Sequence, residues 1–163
     1  MTDFGALIRQ LNDAGVRFVL VGGFAGTVFG SPRVTVDLDV VYDRSPENLD
    51  RLVRALAPLS PSLRGAPAGL PFTLDSATLS RGLNFTLTTS LGDLDLLGEI
   101  VGGGTYGALA PTSELIRVFD LEISVVPLGR LIQLKRAAGR PKDLEAIAEL
   151  EVLLEERDRA SDT

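Results

Sequence analysis

The sequence predicts an α+β domain, with a small mixed sheet flanked by helices and a C-terminal helical pair. Three observations carry that expectation. Up to residue 56, apolar periods alternate as helix, strand, helix, strand, helix. Two alternating runs, at 83–88 and 93–97, lie either side of a turn near Gly92 and suit a hairpin. Two amphipathic runs, at 127–138 and 141–156, flank Gly139. The 163 residues, 45% of them apolar, suffice for one domain with its own core, expected over 1–157 with 158–163 as a frayed tail.

Taken in order, Thr2 is positioned to cap a first helix that turns Phe4, Leu7, Ile8 and Leu11 to one side and stops at Ala14-Gly15. Residues 17–21 form a short apolar strand running into Gly22-Gly23, and 24–29 a small-residue helix closed by Gly30 and Pro32. The β-branched run 34–42 is the second strand. Pro46 opens a helix that places Leu49, Leu52, Val53 and Leu56 inside. Residues 58–71 hold four prolines and two glycines and are expected as a surface loop. Gly102-Gly103-Gly104 gives a connection readable as a lid or a linker, and 121–126 is a last strand. The final helix presents Leu144, Ile147, Leu150 and Leu154 inward.

Composition narrows the chemistry. With no cysteine or histidine, the chain has no disulfide, thiolate nucleophile, sulfur-built zinc site, imidazole ligand or Ser-His-Asp triad. Carboxylates, Lys, Arg, hydroxyls and backbone amides remain, and a metal would take oxygen ligands, as magnesium, manganese and calcium do. The amino terminus does not read as a signal peptide, and the longest uncharged runs, 18–32 and 100–113, are too short to span a bilayer. The expectation is a cytoplasmic protein with no membrane partner. The net charge of −6 arises from residue 143 onward, where eight acids meet two bases. Arg130, Lys135, Arg136, Arg140 and Lys142 still gather five cations in 13 positions, a candidate anion site.

The most informative segment runs from Val21-Gly22-Gly23 to Asp37-Leu38-Asp39. Side chains two apart on a strand share a face, so Asp37 and Asp39 point the same way with Cα atoms about 7 Å apart. Two such carboxylates repel unless a cation lies between them or one takes a proton. Asp93 and Asp95 repeat the spacing. Asp95, deeper in the apolar run, is preferred as the third carboxylate, and Asp93, beside the Gly92 turn, should be wetter. Three carboxylates suit metal-assisted phosphoryl chemistry, and the third can also accept a proton. The Gly-Gly turn onto a helix adds amide hydrogens suited to phosphates. Singly, each feature has an ordinary reading, as a solvated strand face, a backbone turn or a hairpin end.

In this order, and with Arg33-Val34-Thr35 leading into the acidic strand, these residues resemble the nucleotidyltransferase superfamily of the polymerase-beta-like fold. Gly22-Gly23, thirteen intervening residues and Asp37-Leu-Asp39-Val look most like the AbiEii/MenT-type group. Lys135 and the run Arg140-Pro-Lys142-Asp143 are similar to that group's later motifs. The resemblance implies that Asp37, Asp39 and Asp95 hold Mg2+, or Mn2+ in its place. It implies nucleotide contacts, with ATP among the NTPs, from Gly22, Gly23 and Lys135; Thr27, Arg33 and Thr35 are further nucleotide-binding candidates. The catalytic constellation it implies is Asp37, Asp39, Asp95, Lys135 and Asp143. Stricter members carry Gly-Ser where this chain has Gly22-Gly23, so Thr27 or backbone amides would have to replace that hydroxyl.

The activity implied is transfer of a nucleoside monophosphate from an NTP to an acceptor hydroxyl. For this group the acceptor is the 3′ end of tRNA, the protein being the toxin of a toxin–antitoxin pair with an antitoxin partner. Two other readings stay open. A small aminoglycoside-like acceptor suits the acidic balance, and a non-catalytic relative that binds nucleotide or protein suits the missing serine.

Overall fold

The computed structural model describes residues 1–67 and 69–162. Its centre is a seven-stranded mixed sheet in the order β3-β4-β5-β2-β1-β9-β8. β1 (Phe18–Val21) lies antiparallel to β2 (Asp37–Tyr42), and β2 lies parallel to β5 (Gly92–Leu97). β4 (Phe85–Thr89) pairs antiparallel with β5 as the expected hairpin, and β3 (Ser62–Leu63) adds to its outer side. On the other flank β9 (Leu121–Val125) runs parallel to β1 and antiparallel to β8 (Glu114–Val118). A separate two-stranded ribbon joins β6 (Glu99–Ile100) to β7 (Gly104–Thr105).

Helix boundaries follow local chemistry. α1 (Phe4–Asp13) buries Leu7, Ile8 and Leu11, and is capped by Asp3, whose carboxylate accepts from the Ala6 N–H at 3.0 Å. Thr2, expected as the cap, is instead drawn into the sheet margin. Its hydroxyl donates to the Val36 carbonyl and accepts from the Asp93 N–H, so it ties β2 to β5 at their entry. α2 (Gly22–Val28) starts directly from β1. α3 (Pro46–Leu56) opens on Ser45 and Pro46. Buried Asn48 accepts from the Arg17 N–H at 2.7 Å and donates to the carbonyls of Arg17 and Asp43, locking this helix to the adjoining ends of β1 and β2. α6 (Leu128–Ala138) and α7 (Pro141–Ser161) form the packed C-terminal pair.

Several expectations are corrected. The second strand begins at Asp37, because Asp39 faces the last residue of β1 and Asp37 faces Asp93. Val34 and Val36 have no ladder partner and stand 86% and 63% exposed. The Pro/Gly-rich stretch is not all loop, since β3 pairs with Leu87 and Thr88; Ala68 within it lies outside the described residues. Three further elements have no counterpart in the sequence expectation: β8, the short α4 (Ser76–Arg81), capped by Asp75, and the one-turn α5 (Tyr106–Leu109). The glycine triplet makes the turn and return of the β6–β7 ribbon. Leu144 is 53% exposed, whereas Ile147 and Leu150 are buried as expected, Leu154 is half-buried, and Asp143 and Ala146 join the buried face. That helix continues past Glu156 to Ser161; Thr163 lies outside the described residues.

The core covers both faces of β1, whose four residues are all buried, but only one face of β2 and β5 along the stretch where the aspartates stand. Leu38, Val40, Leu94 and Leu96 are fully buried, and the alternation that puts them there turns the intervening aspartates to the opposite face. Burying such leucines stabilises the sheet by roughly 2 kcal/mol each, which holds the acidic face in register against its own repulsion.

Candidate active site

In the parallel β2–β5 register, Asp37 is opposite Asp93 and Asp39 opposite Asp95. Paired residues on neighbouring strands project to the same side, so four carboxylates share one face. Carboxylate oxygens of Asp37, Asp39 and Asp95 lie within 4.8 Å of one another. Asp95 is the more enclosed of the hairpin pair, with 15% side-chain exposure against 33% for Asp93. Burial, followed by the charges of Asp37 and Asp95, pushes the Asp39 carboxyl up to about 8. Burial and the Asp95 charge also raise Asp37, against the opposing pull of Arg64.

These residues fit a divalent cation. The donors are hard carboxylate oxygens, and Asp39 Oδ1 is buried with no hydrogen-bond partner among the described residues. Leaving such an oxygen unmet is costly, and an ion held by Asp37, Asp39 and Asp95 would meet it. Gly22 leaves the room that the Asp39 side chain occupies. It has φ +74°, and a Cβ there would overlap the Asp39 carboxylate.

A cavity of about 380 Å³ opens over the triad, lined among others by Gly22, Gly23, Arg33, Thr35, Asp37, Asp39 and Asp95. Its opposite wall carries Lys135, Arg140, Lys142 and Asp143 from the helical pair. Asp143, only 3% exposed in its side chain, accepts from Arg140 Nε at 2.6 Å and lies 3.8 Å from Lys135 Nζ. Burial would raise Asp143, but the Arg140 hydrogen bonds and charge, with the Lys135 charge, hold it below the usual carboxylate range. Burial draws Lys135 down while the Asp143 charge opposes it. A second cavity of about 370 Å³ shares Gly22, Asp39, Lys135, Arg140 and Asp143 with the first and is otherwise walled mainly by apolar side chains, among them Leu97, Ile100, Leu131, Leu134 and Ala138. Asp39 and Lys135 thus stand at the junction of a polar compartment and an apolar one.

Of the residues singled out in the sequence, Gly22, Gly23, Arg33, Thr35, Asp37, Asp39, Asp95, Lys135 and Asp143 meet around the first cavity. Thr27 does not line it; that side chain is exposed, and its hydroxyl donates back to the Gly23 carbonyl at 3.4 Å. Thr35 is better placed to stand in for a hydroxyl at position 23, because a Cβ on Gly23 would come within 2.9 Å of Thr35 Oγ1. Arg33 reaches the wall with its guanidinium committed to Glu149, at 2.9 and 3.2 Å. Arg64 was missed. It comes from the loop after β3 and donates to Asp95 Oδ1 at 2.8 Å. Neither its neighbours nor its spacing in the sequence marked it.

No family model and no curated protein matches this sequence. Among solved structures, the fold is similar to that of a Thermotoga maritima protein described as a "putative nucleotidyltransferase", with a TM-score of 0.57 at 17% identity, covering 91% of this chain and 94% of that one. The likeness is one of fold; the acidic triad is a feature of this chain's own side chains. Among the described residues no helix is long and apolar enough to cross a membrane.

Proposed function

We propose that this chain is a nucleotidyltransferase that moves a nucleoside monophosphate from a magnesium-bound NTP to an acceptor hydroxyl. The observation that carries the reading is the Asp37–Asp39–Asp95 triad facing Lys135, Arg140 and Lys142 across one cavity. Negative charge on one wall and positive charge on the other is what a metal–polyphosphate complex requires.

A divalent ion at the triad would neutralise the α-phosphate and align it for in-line attack. The chain's own groups do the rest. The Gly22-Gly23 backbone borders the space for the phosphates, and Lys135 supplies a mobile point charge that Asp143 orients. Arg140 holds Asp143, and Lys142 adds a cation at the rim. The acceptor oxygen forms the new bond to the α-phosphorus as the bond to the bridging oxygen breaks and pyrophosphate departs. The hydroxyl proton passes to Asp95, the triad carboxylate contributed by β5 rather than β2. The apolar compartment beside Asp39 receives the flat face of a nucleoside.

The resemblance to AbiEii/MenT-type proteins makes the tRNA 3′ end the first acceptor to test, and an antitoxin the partner to seek. A small amino-sugar acceptor is the second reading, favoured by the pairing of the outer cations. Arg33 is bound to Glu149, Arg136 to Glu151, and Arg130 to the Gly102 carbonyl, so these three cations are committed within the protein rather than free for a nucleic-acid backbone. The test incubates the protein with Mg2+, each α-labelled NTP and either total tRNA or an aminoglycoside mixture, with Asp39→Ala as control. Label transferred to one acceptor and abolished in Asp39→Ala supports the enzyme and chooses between the acceptors. Nucleotide binding without transfer to either points to a binding relative.

A further inference from the structure

We infer that Arg64 is a built-in cation holding one of the two positions that the four-aspartate face offers, so that the site admits a single divalent ion. This inference rests on the nucleotidyltransferase reading above and concerns how that site is loaded.

Arg64 is fixed by groups that owe nothing to the acids. Its backbone N–H donates to the Thr86 carbonyl at 2.9 Å, prolonging the β3–β4 pairing by one residue, and its Nη2 donates to the Leu87 carbonyl at 2.8 Å. From that anchorage the guanidinium spans three carboxylates. Nη2 is 2.8 Å from Asp95 Oδ1 and hydrogen-bonds to it, Nη1 is 4.0 Å from Asp37 Oδ2, and Nε, buried without a hydrogen-bond partner among the described residues, is 3.5 Å from Asp93 Oδ2 as an ion pair. No ion pair of this arginine reaches Asp39, whose buried Oδ1 has no partner among the described residues. The acidic face is therefore divided, with one end charge-compensated by the protein and the other left for a ligand.

Two-metal sites hold their ions about 3.5–4 Å apart over carboxylates common to both. Here Asp37 and Asp95 flank Asp39 as such common ligands would, and both already lie within reach of the Arg64 guanidinium. A second dication would have to sit against that fixed positive charge or displace it from the Leu87 carbonyl as well as from the acids. Arg64 thus occupies the Asp93–Asp95 side of the acidic face and restricts the metal to the Asp39 end.

The test counts Mn2+ bound per chain in the presence of a non-hydrolysable NTP analogue, by calorimetric titration and by electron paramagnetic resonance, for the wild type, Arg64→Ala and Arg64→Lys. One ion without Mn–Mn coupling is expected in the wild type and in Arg64→Lys, and two coupled ions in Arg64→Ala. Two ions in the wild type overturn the inference whether or not Arg64→Ala folds. One ion in both the wild type and a folded Arg64→Ala, by circular dichroism, overturns it while leaving the transferase reading standing. If Arg64→Ala does not fold, one uncoupled ion in both the wild type and Arg64→Lys supports the inference. No Mn2+ bound by the wild type removes the transferase reading together with this one.

Discussion

Gly22 and Asp39 compete for one volume: a Cβ at position 22 would fall on the Asp39 carboxylate. The glycine also sits at φ +74°, a left-handed conformation costing other residues roughly 1–2 kcal/mol. Gly22→Ala should therefore act twice, straining the turn and pushing Asp39 off its position. A displacement of about 1 Å in a site of this kind reduces turnover about 100-fold. Transfer kinetics alongside thermal melts check this. Loss of stability with full activity would show that Asp39 can move without consequence.

The raised carboxyl of Asp39 predicts a pH-dependent stability in the metal-free protein. Its folded value of about 8 lies above the ordinary 3.8, so between those limits the folded state binds the extra proton. The corresponding stability is complete below pH 3.8 and is lost as the pH rises through about 8. Without a divalent ion, the melting temperature should fall across that window more steeply for the wild type than for Asp39→Asn. The gain from added Mg2+ should be larger at pH 8.5 than at pH 6, because the ion replaces the proton. A gain independent of pH would contradict the assignment of Asp39 as ligand.

These two residues also show what the sequence made legible. The period-two spacing of Asp37 with Asp39, and of Asp93 with Asp95, is a local property, and alternation alone put all four on one face once β2 and β5 paired. The caps and boundaries of α3 and α6 were likewise local. Arg64 was not legible, because its role depends on a two-residue strand joining β4, and the Pro/Gly-rich composition around it hides that pairing. β8 was missed for a related reason. Its pattern breaks at the exposed Leu115, and β9 rather than its own hydrophobicity holds it in the sheet. Thr2 was misassigned between two adjacent cap-forming side chains, a choice made by the distant Val36 carbonyl and Asp93 amide.

Asp143 joins Lys135 to Arg140 and should have more effect on stability than either cation. Removing it leaves a largely buried ammonium without its counter-ion, whereas Arg140, with 61% side-chain exposure, can turn to solvent. Asp143→Ala should cost about 3 kcal/mol, near the lower end for breaking a buried pair. Lys135→Ala should destabilise less and raise KM for the NTP, since the lysine lines the cavity. Urea unfolding of both variants, set beside their steady-state kinetics, separates the two roles. Equal destabilisation with unchanged KM would make Lys135 a structural partner only.

Thr35 and Gly23 supply the last prediction. A serine at position 23 would bring its Cβ within 2.9 Å of Thr35 Oγ1 and 3.2 Å of Thr35 Cβ, closer than packed atoms tolerate. The two positions can therefore carry one hydroxyl between them, but not two side chains. Thr35→Ala should raise KM for the NTP several-fold, by the roughly 1 kcal/mol of a hydrogen bond. Gly23→Ser alone should impair the protein by crowding. Combining Gly23→Ser with Thr35→Ala should recover much of the loss, because the hydroxyl returns from the other side of the same gap as the clash disappears. That sign reversal is a coupling between contacting residues, measurable as a double-mutant cycle on kcat/KM. Additive losses would mean that Thr35 has no part in holding the nucleotide and only fills the space beside Gly23.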